Sequence, residues 1–200
     1  MEPFDGANQK LLQHTLDSIQ KKFHRRVIVA TDSDWALESV QDMRVKGMPV
    51  GEDVESYRDV MLDISSKMNM DDDDDFVMLS LEYPGRTYRN IRSAIQYFRK
   101  HHKSKSLLCR RPTETIAQKL VVEKEKNKGE PLIEDQGQEW KERDFGRETF
   151  EHSHFVTIHQ VSELSEVNDW LWNEDTIFFP VDVDVKRVNT PEALEEYEAD

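Results

Sequence analysis

Cysteine, glycine and long apolar runs are all scarce in this chain, which has one cysteine and seven glycines among 200 residues. A lone cysteine, Cys109, excludes a disulfide framework within the chain and is typical of a reducing compartment. It lies in the apolar segment "SLLCRR", so we expect it in a buried strand rather than as a nucleophile. No segment approaches the roughly 18 apolar residues of a membrane span, and the N-terminus lacks a signal-peptide core. These absences predict a soluble, cytoplasmic protein with no membrane partner.

Positive charge is scarce too. The chain carries 27 Lys and Arg against 41 Asp and Glu, a net charge of -14, so we do not expect it to bind nucleic acid. Much of the acidity lies in the run "DDDDD", Asp71 to Asp75, and in the C-terminal tail. The run lacks the alternating ligands and the glycine turn of a calcium loop. We therefore expect a solvated loop there.

Short apolar segments alternate with amphipathic ones along the chain. Helix N-caps are predicted at Thr87 and Thr190. The recurrence of strand, loop and helix predicts an α/β domain with a largely parallel sheet, in which ligands bind beyond the carboxyl ends of strands. We therefore expect a ligand to bind at the loops after Ala30, Leu81 and Leu108. Strands are predicted for "VIVA", "FVMLSL", "SLLC", "HFVTIHQ" and "TIFFPVDVDV", and helices for "ANQKLLQHTLDSIQKKF", "DVESYRDVMLDISSKM", "TYRNIRSAIQYFRKHH", "VSELSEVNDWLW" and "TPEALEEY".

The length predicts a single domain over residues 1–200. Within it, residues 112–147 are strongly charged and lack a clear period. This stretch is too polar for a core and too long for an idle connection. It is predicted to be an excursion, serving as an arm, a lid or a partner-binding segment.

Four segments, in this order and spacing, resemble the CMP-sugar cytidylyltransferases, the family of CMP-N-acylneuraminate and CMP-KDO synthetases. They are "LLQHTLDSIQKKFHRRVIVATDSD", "FVMLSLEYPGRTYRNIRSAIQYF", "TFEHSHFVTIHQVSEL" and "VDVDVKRVNTPEALEEYE". The resemblance implies a three-layer α/β sandwich with a mixed, mostly parallel sheet, of the Rossmann-like nucleotide-diphospho-sugar transferase type. Members of the family join CTP to an acidic sugar and release pyrophosphate.

The family's first strand and the Gly-rich basic loop that holds the triphosphate have no counterpart here, so the fold is expected with its first strand missing. The sequence is either a degenerate relative or a truncated one. The resemblance singles out no catalytic residue. It implies nucleotide or substrate binding by Thr31, Asp32, Ser80, Arg86 and Thr87, although Ser80 replaces a family glutamine and Arg86 could instead cap the next helix.

Two aspartates near the C-terminus, Asp182 and Asp184, have two interpretations. Residues two apart on a strand point the same way, so the pair could share one Mg²⁺ with Asn189. Alternatively, they form the solvent face of an edge strand. The register of "TPEAL" places Arg187 and Asn189 where the family has aspartates, and a cation substitutes poorly for a magnesium ligand. The histidines at 152, 154 and 159 lack the ligand set of a zinc site.

Two functions follow. The first is cytidylyl transfer, with CTP and a sugar acid as substrates and Mg²⁺ as cofactor, whose catalysis would consist of positioning and charge neutralisation. The second is a non-catalytic binding or assembly module, for example a virion component. In that case the partner is another protein or a second copy of the chain, which could supply the missing strand.

Overall fold

The structure is a computed structural model that describes residues 5–19, 26–43, 45–51, 54–112, 121–125, 128–131, 150–181 and 186–199. Helix α1 (Asp5–Asp17) opens the chain. It is followed by strand β1 (Ile28–Thr31), helix α2 (Asp34–Ser39) and strand β2 (Lys46–Pro49). β1 and β2 pair in parallel as a two-stranded sheet.

A separate four-stranded sheet forms the centre of the molecule. Its strands are β3 (Asp75–Met78), β4 (Ser106–Pro112), β7 (Phe150–Gln160) and β8 (Ile177–Pro180), in the order β3-β7-β4-β8. β7 runs antiparallel to both of its neighbours, whereas β4 and β8 are parallel. Three of the four strands therefore run in one direction, which gives the predicted mixed sheet.

Helices cover both faces of this sheet. Leu107 and Cys109 of β4 point into the cluster formed with helix α4 (Tyr88–Lys100), which contributes Phe98. Leu108 points the opposite way, into the cluster that contains Met61 of helix α3 (Tyr57–Met68). Alternation along one strand thus divides the core into two halves. This confirms the three-layer α/β sandwich.

α1 connects the two sheets. Its residues Leu12 and Leu16 pack in a cluster with Val29 of β1 and with Leu81, which follows β3. Leu11 joins Leu81 and the C-terminal helix α5 (Pro191–Ala199) in another cluster. Among the described strands, neither β1 nor β3 has a hydrogen-bonded partner on its second edge. Because Leu81 packs in one cluster with Val29, the loop after β3 lies next to β1. Among the described strands, no hydrogen-bonded ladder joins the two sheets.

The charged stretch 112–147 contains strands β5 (Val121–Glu125) and β6 (Lys128–Pro131), which pair with each other in antiparallel fashion. The sequence did not indicate these strands. Whether the stretch is an arm or a lid stays a prediction. The predicted "DDDDD" loop is confirmed for Asp71 to Asp74, which are exposed, whereas Asp75 is exposed but is the first residue of β3.

Two predicted elements are wrong. The helix predicted over "VSELSEVNDWLW" is only a 3-10 turn at Val161–Glu163 followed by turns, because Leu171 has a φ of 64°, a left-handed conformation that an α-helix does not accept. β3 was expected to be a buried strand. It is instead an edge strand, and Val77 keeps 38% of its surface exposed.

Helix N-termini follow the sequence prediction closely. Thr87 caps α4 in a capping box, in which the Asn90 N–H donates to the Thr87 hydroxyl and the Thr87 N–H donates to the Asn90 side chain. Thr190 accepts from the Ala193 N–H at 3.2 Å, and Pro191 is the first residue of α5. Among the described residues, no helix combines the length and apolar character that a membrane span requires.

Candidate functional site

The loop after β3 brings together side chains that are far apart in the sequence. Ser80 is buried, and its hydroxyl accepts from the Glu82 N–H at 3.4 Å. Tyr57, at the start of α3, lies beside Ser80 and Glu82, and both residues influence its pKa. Burial raises the pKa of Tyr57, and the nearby Glu82 carboxylate raises it further. At neutral pH this corner therefore offers neutral hydroxyl groups.

The segment before α5 closes over the same loop. Arg187 donates from Nε and from one terminal nitrogen to the two carboxylate oxygens of Glu82, at 3.0 and 2.8 Å. The Val188 N–H donates to the Glu82 carbonyl at 2.7 Å. A two-pronged pair of this kind fixes both partners in one plane. The loop after β3 and the segment 186–190 thus form one unit.

Two histidines of β7 border this unit. The His154 ring packs edge-on against Tyr57, with ring centroids 5.1 Å apart, and the His152 ring lies 5.8 Å from His154. Burial and, to a lesser extent, the neighbouring His152 lower the pKa of His154 to about 4. Burial also lowers the pKa of His152 below its usual 6.5, so both imidazoles are mainly neutral at pH 7. We call Tyr57, Ser80, Glu82, His154 and Arg187 the polar cluster.

Arg86 supports this loop from beneath. It is only 3% exposed and donates to the carbonyls of Phe155 and Ser80, the latter at 2.8 Å, and to the Thr15 hydroxyl at 3.4 Å. Burial lowers its pKa to about 10, which still leaves it charged at pH 7. The helix-capping alternative for Arg86 is wrong, because Thr87 caps α4. Its guanidinium faces protein oxygens, so anion binding by Arg86 stays a prediction.

The loop after β1 holds the other two predicted binding residues. The Thr31 hydroxyl accepts from the Ser33 N–H at 3.1 Å, and Ser33 in turn caps α2 by accepting from the Ala36 N–H at 3.4 Å. Asp32, between them, is exposed. The turn is ordered by its own hydrogen bonds, and the Asp32 side chain is left accessible to a ligand.

The predicted magnesium ligands are only partly described. Asp182 and Asp184 lie outside the described residues. Asn189 is exposed and lies two residues from Arg187, which already pairs with Glu82. In the described part of the chain, no group of three or more His, Cys, Asp or Glu side chains is arranged to hold a metal ion. The Arg187 guanidinium beside Glu82 repels a divalent cation, and Mg²⁺ binding by Asp182, Asp184 and Asn189 stays a prediction.

The structure thus groups Ser80 with residues that the sequence analysis did not propose as ligands. Tyr57, Glu82 and Arg187 come from three separate segments, and no spacing in the sequence connects them. Thr87 is occupied as a helix cap. Among the side chains predicted for nucleotide binding, Asp32 is exposed and Ser80 lies within the polar cluster.

Comparison with known proteins supports the fold. No protein-family model matches the chain, and no curated protein matches it. A solved structure of CMP:2-keto-3-deoxy-manno-octonic acid synthetase complexed with CTP has a similar fold, with a TM-score of 0.61 and 15% sequence identity. The match covers 94% of this chain and 86% of that chain. The chain therefore has an α/β fold of the nucleotide-diphospho-sugar transferase type, similar to that of a CMP-sugar cytidylyltransferase.

Proposed function

We propose that this chain is a cytidylyltransferase-like protein that binds a cytidine nucleotide in the loops after β1 and β3, and that it has lost the metal-assisted transfer step. The observation that carries the proposal is the Glu82–Arg187 pair within this fold. It places a cation at the edge of the sheet where the family resemblance implies a magnesium ligand.

The ligand class follows from the groups that face the loop after β3. The polar cluster offers two hydroxyls, a neutral imidazole and a guanidinium as hydrogen-bond donors, beside the Glu82 carboxylate, which accepts from Arg187. Phosphate and sugar oxygens accept such bonds, and Arg binds them with two parallel donors. In sheets of this kind, ligands bind beyond the carboxyl ends of the strands. A nucleotide with a bound sugar or phosphate fits this donor set.

The metal is expected to be unnecessary for binding. Phosphoryl-type transfer depends on metal and basic groups that neutralise the developing charge. At this loop the Arg187 guanidinium is already paired with the Glu82 carboxylate, and the Arg86 guanidinium is buried against the Ser80 and Phe155 carbonyls. We therefore expect CTP to bind with similar affinity with and without Mg²⁺, and no pyrophosphate to be released.

Isothermal titration of CTP into the purified chain, with and without Mg²⁺, tests this function, combined with a pyrophosphate assay on a panel of nonulosonic acids. Arg187→Gln should weaken CTP binding about tenfold, since it removes one charged contact. Arg92→Gln is the matched control, because Arg92 is exposed on α4, and it should bind normally. Absence of heat at millimolar CTP would overturn the proposal. Magnesium-dependent binding with pyrophosphate release would show an active cytidylyltransferase instead.

A second function, an assembly module, is supported by the division of the sheet. β1 and β3 each carry an edge without a described strand partner, and Val77 on β3 is 38% exposed. Open edges of this kind accept a strand from another chain. This function predicts a dimer or larger assembly in sedimentation at micromolar concentration, with no CTP binding. A concentration-independent monomer would rule it out.

A further inference from the structure

Two tryptophans stand out on the surface, in the loop between β7 and β8. Trp170 is 63% exposed and Trp172 is 40% exposed, although large aromatic side chains are normally mostly buried. Leu171, between them, is fully buried and packs against Met61 and Leu108 in the core. The loop therefore anchors itself through the central leucine and directs both indoles outward.

The loop that exposes the two tryptophans is held by its own hydrogen bonds. The Asn168 side-chain oxygen accepts from the N–H groups of Trp170 and Trp172, at 3.0 and 3.2 Å. The Asn168 N–H donates to the Trp172 carbonyl at 3.1 Å, and the Leu171 N–H donates to the Asn168 carbonyl at 2.9 Å. Leu171 keeps a left-handed φ of 64°, which is costly for a residue with a side chain. The hydrogen bonds hold the loop in this conformation before any partner arrives.

The loop is also fixed to α3. Arg58 donates to the Val167 carbonyl at 3.3 Å and pairs with Asp169 at 2.8 Å. On the other side, the Asn173 side chain donates to Glu163 at 2.6 Å. A partner that contacts the indoles would therefore lose little entropy in ordering this surface.

The surroundings of the indoles are acidic. Residues 161–176 contain five Asp and Glu and no Lys or Arg, and Glu166, Glu174 and Asp175 are exposed. The exposed Asp run contacts the start of this segment, because the N–H groups of Val161 and Ser162 donate to the carbonyls of Asp74 and Asp72 at the C-terminal end of β7. The Trp170 ring lies 6.1 Å from the His152 ring, towards the N-terminal end of β7. In the chain the exposed indoles are flanked by Asp169, which pairs with Arg58, and by the exposed Glu174 and Asp175.

We propose that the loop of residues 168–172, with the acidic residues around it, is a docking surface for an arginine- or lysine-rich segment of a partner protein. Indole faces attract guanidinium and ammonium groups, and Trp is the strongest of the aromatic side chains in this respect. The carboxylates add attraction at longer range and steer the approach. Nucleic acid carries the same sign of charge as this surface and is repelled. An uncharged apolar partner would bury the carboxylates without compensation.

The test uses the full chain and a fluorescein-labelled nona-arginine peptide, with binding followed by fluorescence anisotropy. The double variant Trp170→Ser with Trp172→Ser should bind about tenfold more weakly, because two cation–π contacts are removed. Leu62→Ser is the matched control, since Leu62 is 37% exposed but lies outside the loop, and its affinity should be unchanged. Raising sodium chloride from about 50 to about 150 mM should weaken binding to the native chain.

The peptide could also be attracted by the net charge of -14 alone, and the variants distinguish this outcome. Equal affinity of the native chain and the tryptophan variant would overturn the proposal, as would an equal loss in the Leu62→Ser control. Failure of the native chain to bind the peptide at low salt would also overturn it. Near-ultraviolet circular dichroism of each variant checks that the fold is retained.

Discussion

Replacement of Arg86 by methionine should destabilise the protein substantially, although Arg86 has no carboxylate partner among the described residues. Its guanidinium joins three elements by donating to the carbonyls of Ser80 and Phe155 and to the Thr15 hydroxyl. The side chain is only 3% exposed, so water does not replace these contacts. Methionine has a similar length but donates no hydrogen bond.

The magnitude follows from two opposing effects. Hydrogen bonds from a charged donor to a carbonyl contribute about 1.5–3 kcal/mol each, and two such carbonyls lose their donor. Burial of the guanidinium itself is unfavourable, as the lowering of its pKa to about 10 shows, and methionine avoids that cost. We expect a net loss of about 2–4 kcal/mol in the free energy of unfolding, a large part of the about 5–15 kcal/mol typical of a domain.

Urea unfolding at pH 7, followed by tryptophan fluorescence, measures this loss. Arg86→Lys should be intermediate, because an ammonium group can donate to the carbonyls but lacks the planar fork. Arg92→Met, an exposed change on α4, should stay within about 0.5 kcal/mol of the native chain. If Arg86→Met unfolds within about 0.5 kcal/mol of the native chain as well, the supporting role of Arg86 is refuted.

Three further predictions concern buried or capping groups. Burial lowers the pKa of His159 from 6.5 to about 4, so the free energy of unfolding should be highest above about pH 6.5 and should fall by about 3 kcal/mol as the pH falls towards 4. His159→Gln should remove this fall from urea-unfolding measurements made over the same pH range. An unchanged pH dependence in the variant would contradict the prediction. Cys109 is buried and its pKa is raised to about 12, so a thiol reagent should label it only after unfolding, and rapid native labelling would refute its burial. Thr87→Ala should cost about 1 kcal/mol, whereas Thr87→Ser should retain most of the stability; equal losses would argue against the cap.

The sequence predicted the parts of the fold that depend on local pattern. The apolar segments at β1 and β4, the amphipathic period of α4 and the cap at Thr87 all act within a few residues, and the structure confirms them. β2 was missed because "KGMP" contains glycine and proline and has no alternation. α2 was missed because it is only six residues long.

Long-range pairing explains the remaining differences. The failed helix before β8 depends on Asn168, whose side chain takes the backbone N–H groups that a helix would use. The position of β3 at a sheet edge depends on the strand order, which no local pattern encodes. In the candidate site, Glu82 and Arg187 are 105 residues apart, so their pairing could only be found in three dimensions.

Hydrogen exchange of the full chain with and without saturating CTP tests the central claim most directly. The account predicts slower exchange in two places, the loop around Asp32 and the loop from Ser80 to Arg86, with little change at residues 168–172. Protection confined to other parts of the chain, or no protection at any CTP concentration, would contradict a nucleotide site at the carboxyl ends of β1 and β3.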